Sequence, residues 1–246
     1  MIFIIPIVTA VLCLLSTAVM FLELDRPKDI AEADGAAIPK GADDAVIPKE
    51  ADDAAILEEA DNHKSGRPAV YCILMICITM AISAMFCTLY KDNNIFTSLK
   101  RMGLLAIIWP VAYIDFKEYR IPNRIIGLGV LYRLLLIPCE LLVEGTAMRY
   151  DLLSEGIAAI AILVAAILCT VCMRGSIGVG DMKLFFLMGL LLGLDGIWGA
   201  VFLALIISFF VSIFLLATKR KSRKDAIPFG PALVIGTFLS VALTGM

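Results

Sequence analysis

The sequence predicts an all-α polytopic membrane protein of about eight transmembrane helices, with its N-terminus outside. Three observations predict it. Hydrophobic residues make up 61% of the 246, apolar runs near twenty residues recur along the chain, and the charged residues, only 18%, collect between those runs. A run of that length crosses a hydrocarbon core of roughly 30 Å. The net charge of −2 hides an uneven distribution, because thirteen of the 23 acids lie between Glu23 and Asp61. That balance argues against a nucleic-acid partner and makes the lipid bilayer the principal surroundings.

The first expected span, 1–22, carries no charge, and with no Lys or Arg before it a cleaved signal peptide is the weaker reading. The remaining expected spans are 69–90, 98–114, 122–143, 155–173, 182–196, 198–217 and 227–245, the third shortened by Lys100 and Arg101. Lys and Arg in short connections accumulate on the cytoplasmic side. With the N-terminus outside, the inside connections carry six (23–68), three (115–124), two (174–183) and five (218–225), against three, one and none outside. Asp115 and Asp181 then share the cytoplasmic side, in a multi-pass protein of the inner (plasma) membrane.

Residues 23–68 form an acidic cytoplasmic insert with a nine-residue near-repeat, ADGAAIPKG (33–41), ADDAVIPKE (42–50) and ADDAAILEE (51–59). Units so short, acidic and proline-punctuated bury no core by themselves, so a flexible loop is expected. The chain thus divides into a first helix (1–22), this loop (23–68) and a transmembrane core (69–246).

The seven cysteines fall almost entirely within apolar runs, where cysteine packs as a small hydrophobe. Cys169 and Cys172 form a C-x-x-C, but no second pair or nearby histidine completes a zinc site, so no metal and no cofactor is expected. The single histidine, His63, lies in the polar loop, which argues against a Ser/His or Cys/His catalytic pair.

Two segments carry candidate chemistry. In DFKEYRIPN, Asp115 to Asn123, Asp115 closes an apolar run and Pro122 opens the next, a good first-turn position for a residue without an N–H. An ionisable group at that depth is costly and tends to face a cavity or a partner. In GSIGVGDMKL, Gly175 to Leu184, the glycines Gly175, Gly178 and Gly180 allow close backbone approach. A phosphate-binding loop needs Gly-Lys-Ser/Thr where this chain has Gly180-Asp181-Met182, and a dinucleotide fingerprint needs a glycine where Lys183 stands.

What remains is two aspartates on one membrane face. Two carboxylates sharing a site cannot both ionise cheaply, so one keeps a proton while the other acts as base toward water. The titration belongs to the pair. Such a dyad would activate water against a peptide carbonyl and protonate the leaving amine. On residue chemistry alone, two solvated acids capping helices or balancing Lys117 and Lys183 stand level with it. Pro228-Phe229-Gly230-Pro231 either keeps the start of the last span irregular beside the site or merely starts a helix.

The ordered set Asp115, Ile121-Pro122-Asn123, Gly178-Val179-Gly180-Asp181-Met182-Lys183-Leu184, Gly189 to Gly193 and Ile227-Pro228-Phe229-Gly230-Pro231 resembles the type IV prepilin peptidases. These are A24-type intramembrane aspartic proteases of the G-x-G-D class, and the resemblance covers residues 98 to 245. It implies that Asp115 and Asp181 are the catalytic pair. It also implies that Gly178, Gly180, Lys183, Pro122, Asn123, Pro228, Phe229, Gly230 and Pro231 shape the site or bind substrate. The substrates implied are prepilins or pseudopilins, whose short basic leader is removed after a glycine on the cytoplasmic side, in type IV pilus assembly or protein secretion.

Many members of that family carry two C-x-x-C pairs binding zinc between the first two spans, associated with methylating the new N-terminus. This chain has no cysteine between Cys13 and Cys72, which argues against a zinc site and against an N-methyltransferase activity. Arg133, about 18 Å into the fourth span, is expected to pair with an acid inside the bundle or contact substrate; Glu140, roughly 10 Å further along the same face, reaches it only by side-chain length. Asp195 and Trp198 read as an outer turn and an interfacial anchor. Two rival functions use the same residues: a proton- or cation-coupled transporter, and an inactive adaptor recruiting partners through the acidic repeat.

Overall fold

The computed structural model describes residues 4–25, 68–89, 94–145, 148–172, 178–218 and 228–244. Among them every regular element is helical: α1 (Ile4–Leu24), α2 (Pro68–Leu89), α3 (Ile95–Glu118), α4 (Asn123–Glu144), α5 (Met148–Cys172), α6 (Val179–Ala217) and α7 (Gly230–Thr244). Five of these, α1, α3, α4, α5 and α6, are long and apolar enough to cross a membrane. The acidic repeat and His63 lie outside the described residues, as do Gly175 and the basic segment 219–227.

Helix α3 is the axis of the bundle. Its apolar span is 78% buried, against 39% or less for the other four long helices, and it touches α1, α2, α4, α6 and α7. Pro110 sits inside it and cannot donate to the carbonyl four residues back. That carbonyl, on Ala106, accepts instead from the hydroxyl of Ser16 on α1 at 2.8 Å, and Ser16 is fully buried. A helix-breaking residue is thereby accommodated with its freed acceptor paired by a neighbouring helix.

Lys100 and Arg101, expected to shorten the third span, lie in the second turn of α3 and are buried. Lys100 Nζ reaches Glu155 Oε1 on α5 at 2.6 Å and Glu140 Oε1 on α4 at 3.6 Å. Arg133 Nη2 completes the set, 2.9 Å from Glu140 Oε2 and 2.5 Å from Glu155 Oε2. The two long side chains of Arg133 and Glu140 thus close the gap that their backbone spacing leaves. Two cations and two anions balance, which is how four charges persist in a region where a lone one would be prohibitive.

The expected sixth and seventh spans, 182–196 and 198–217, are the two helical arms of α6, which join at Gly193, whose φ of 65° and ψ of −173° are non-helical. That φ favours glycine. Ser154 Oγ on α5 accepts the amide of Leu194 just beyond the break, at 3.2 Å. Near the start of the first arm, Phe185 meets Phe229 at the start of α7. In the second arm, Gly199 lies beside Ser240 and Ala204 beside Gly236, so this arm runs back along α7 in the opposite direction. Asp195 and Trp198 are exposed just past the break.

Several boundaries shift from their expected places. Helix α3 continues past 114 to Glu118, and α5 begins at Met148 rather than 155. The added turns carry Lys117, Glu118, Arg149 and Asp151, charged residues that a hydropathy window reads as loop. Glu23, expected in the loop, is a buried member of α1. Cys13 and Cys72 are buried, but Cys77, Cys139, Cys169 and Cys172 face outward.

Removing Arg133 alone, as Arg133→Met, leaves two buried carboxylates against one ammonium and is expected to cost about 3–5 kcal/mol. Replacing Arg133 together with Glu140 by Met and Leu keeps the cluster neutral and costs less. Equilibrium unfolding in detergent measures both, and a single variant as stable as the double one refutes the balanced-cluster account.

Candidate active site

Asp115 is buried in the last turn of α3. The helix stops immediately beyond it because Tyr119 takes a left-handed conformation (φ 54°, ψ 33°) and donates its N–H to the Asp115 carbonyl at 2.9 Å. Residues 120–122 then cross to α4. Pro122, expected in the first turn, is instead the N-cap with φ −74°, and Asn123 is the first helical residue. A proline needs no hydrogen-bond acceptor at either place.

The carboxylate of Asp115 is held from the other side of the bundle. The N–H of Gly230, the first residue of α7, donates to Asp115 Oδ2 at 2.7 Å. Helix N-termini present unpaired N–H groups and a positive dipole end, so a carboxylate there is favourably placed. A Cβ on Gly230 would lie 2.8 Å from Asp115 Oδ2 and 3.2 Å from the backbone Cα of Ala112. Only glycine lets the amide come this close. Phe229 packs edge-on to Phe185 of α6, their ring centroids 5.8 Å apart, and its carbonyl accepts from Leu233 to open α7. Pro228 precedes these and Pro231 follows in the first turn of α7, where its missing N–H leaves no bond unmade.

Asp181 lies in the first turn of α6, three residues after the N-cap Gly178. Its carboxylate accepts the Gly178 N–H, the reach of an acidic third residue back to its N-cap. Each candidate aspartate thus receives one glycine amide from the start of a helix. The two carboxyl groups lie close enough for their charges to interact. Residues 66 apart in the sequence are brought to one end of the bundle.

The remaining candidates line the seam between α4 and α6. A Cβ on Gly180 would stand 3.0 Å from Ile121 Cβ, so the first turn of α6 rests directly on the α3–α4 connection. Lys183 Nζ donates to Asn123 Oδ1 at 2.8 Å. Lys183 thus ties the first turn of α6 to the start of α4. Glu23 and Arg120, joined by an ion pair beside this seam, were not among the sequence-derived candidates, because nothing local in either segment points to the other.

Residues 102–217 match the model of the type IV leader peptidase family. Over 147 residues the chain is 28% identical to a protein described as prepilin leader peptidase/N-methyltransferase from Bacillus subtilis (strain 168), covering 60% of this chain and 55% of that protein. The match thus spans about half of that relative's length. No solved structure matches the chain. The family-matched segment holds both aspartates and Arg133, Glu140 and Glu155 of the buried charge cluster, but not Lys100, α1 or α7.

Gly230→Ala is expected to lower stability by about 1–3 kcal/mol through overpacking against Asp115 and Ala112, although alanine is the better helix former. Thermal unfolding in detergent tests it; a stability equal to or above that of the parent protein rules out the close-approach role.

Proposed function

Because residues 102–217 belong to the type IV leader peptidase family, we propose that this chain is an intramembrane aspartic endopeptidase that cuts basic leaders from type IV prepilins or pseudopilins. Asp115 and Asp181 are its catalytic residues. The observation that carries the reading is the approach of two carboxyl groups, from the end of α3 and the start of α6, to within the range at which their charges interact, each tied to a glycine amide. A pair so placed shares one proton.

In the proposed reaction the ionised carboxylate takes a proton from water, whose oxygen attacks the carbonyl carbon of the scissile peptide. The protonated carboxyl donates to the developing oxyanion. As the tetrahedral gem-diol collapses, the C–N bond breaks, the leaving nitrogen takes the proton that the first carboxylate had drawn from water, and the second carboxylate takes one back from a gem-diol hydroxyl as the new carbonyl forms, so that the dyad again holds one proton. The Gly230 and Gly178 amides keep the two carboxyl groups from turning away from each other, and such positioning is where much of the rate comes from. Gly180, Lys183, Pro122 and Asn123 hold the first turn of α6 against the α3–α4 connection, while Pro228, Phe229 and Pro231 fix the start of α7.

The site is read as facing the cytoplasm. Lys117, Arg120, Arg124 and Lys183 share its end of the bundle, in keeping with the bias of positive residues toward that side. A polar leader then meets the dyad from water while the apolar helix behind the cut stays in lipid. In this arrangement α6 crosses the membrane twice, turning at Gly193, and with α2 and α7 the chain makes eight crossings with its N-terminus outside. The peptidase activity alone is assigned. The N-methyltransferase half of the relative's description is not carried over, since no cysteine lies between Cys13 and Cys72.

Co-expression with a prepilin tests the assignment. Asp115→Asn and Asp181→Asn are each expected to lower kcat by about 10³-fold or more, because a shared dyad acts as a unit. Retention of cleavage by either variant, with the protein at parental abundance, sinks the reading. The pH profile of kcat is expected to be bell-shaped, one carboxyl having to be charged and the other protonated. A profile that rises to a single plateau contradicts shared-proton chemistry.

A further inference from the structure

We infer that Glu23, on a helix outside the family-matched segment, is a positioning residue for the candidate dyad, acting through Arg120 and the α3–α4 connection on the first turn of α6. This rests on the peptidase reading for its consequence in catalysis, but its geometry stands without it.

Glu23 lies in the last turn of α1 and is only 2% exposed. A carboxylate so buried persists only with close cationic partners, and it has two. Arg120 Nη1 approaches Glu23 Oε1 at 3.1 Å and Arg124 Nη1 approaches Oε2 at 3.6 Å. Arg120 also donates from Nη2 to the backbone carbonyl of Glu23 at 3.3 Å, one of the carbonyls that a helix C-terminus leaves unpaired. Its Nε donates to Glu118 Oε2 at 2.5 Å, at the end of α3. One guanidinium therefore joins the ends of α1 and α3.

The two arginines bracket residues 121–123, two of which meet α6. Between them, Ile121 sits under Gly180 and Asn123 accepts from Lys183. Gly180 and Lys183 flank Asp181 in the first turn of α6. The contacts thus run without a gap from Glu23 through Arg120 and Ile121 to the backbone that carries Asp181. No other acidic side chain pairs with Arg124 among the described contacts. Without the Glu23 charge, two guanidinium groups are left without their buried counter-ion and the connection loses its hold on α1.

The test uses the full-length chain in lipid nanodiscs with a prepilin substrate. Glu23→Gln keeps the size of the side chain and removes its charge. It is expected to lower kcat by about tenfold to a hundredfold while KM stays within about threefold, since the leader still binds but Asp181 is misplaced. Combined with Asn123→Ala, which loosens the same connection, the loss is expected to be smaller than the product of the two single losses. A kcat for Glu23→Gln within threefold of the parent, or losses that multiply fully, overturns the inference.

Hydrogen exchange supplies a readout independent of cleavage. In Glu23→Gln, exchange at residues 119–123 and 178–183 is expected to rise at least severalfold while that at 233–241 in α7 does not. Faster exchange confined to α1 indicates a simple anchor and also overturns it. If the parent chain cleaves no prepilin, the peptidase reading fails and the exchange pattern still decides the role of Glu23. Should Glu23→Gln not accumulate, Glu23→Asp, which keeps the charge and withdraws it by one methylene, is expected to show a smaller rise at the same two segments; no rise there counts against the inference.

Discussion

Inside a bilayer a polar group has no water to turn to, and the architecture of this bundle follows from how each such group finds a protein partner. Pro110 frees a carbonyl on α3, and Ser16 of α1 takes it up. Gly193 breaks the ladder of α6, and Ser154 of α5 accepts the exposed amide of Leu194. Lys100, Arg133, Glu140 and Glu155 are tolerable only as a set, because the loss of one leaves a charge with no counter-ion. Each pairing joins two or three helices, so satisfying the groups also determines which helices are neighbours.

Helix α3 draws these constraints together. Near its start Lys100 binds it to α4 and α5, at its middle Pro110 binds it to α1, and at its end Asp115 binds it to the first residue of α7. The candidate aspartates stand at the opposite end of the bundle from the four-charge cluster, some fifteen residues or about 22 Å along α3. The cluster holds one end of the axis, and the other end is left to position a carboxylate. Both carboxylates answer the same demand by lying against helix starts, that of Asp115 against α7 and that of Asp181 within α6, where backbone N–H groups are unpaired in any case.

The apolar runs were legible because a span in lipid needs about twenty residues without charge, and that demand is local in the chain. Asp115 and Asp181 stood out for the same reason: they are acids at the ends of such runs. Lys100 and Arg101 made the third span look shortened, because a window sees only two cations, while the acids that neutralise Lys100, on α4 and α5, are 40 and 55 residues further on. Gly193 was one glycine of several in an apolar stretch, and only its backbone angles mark it as the turning point of α6. Glu23 read as the first residue of an acidic insert, since its partners Arg120 and Arg124 lie almost a hundred residues away.

By itself, the sequence determined that this is a helical membrane protein with two aspartates at the ends of apolar segments, because hydrophobic length and the cost of charge in lipid are properties of short stretches. The tertiary structure alone decided that the turn expected near Asp195 falls at Gly193, that Gly230 supplies an amide to Asp115, and that Glu23 ties α1 to the connection beneath Asp181. Those are contacts between residues tens to more than a hundred positions apart. Their energies depend on ångström-scale geometry across packed helices, and that geometry has no signature in any one segment.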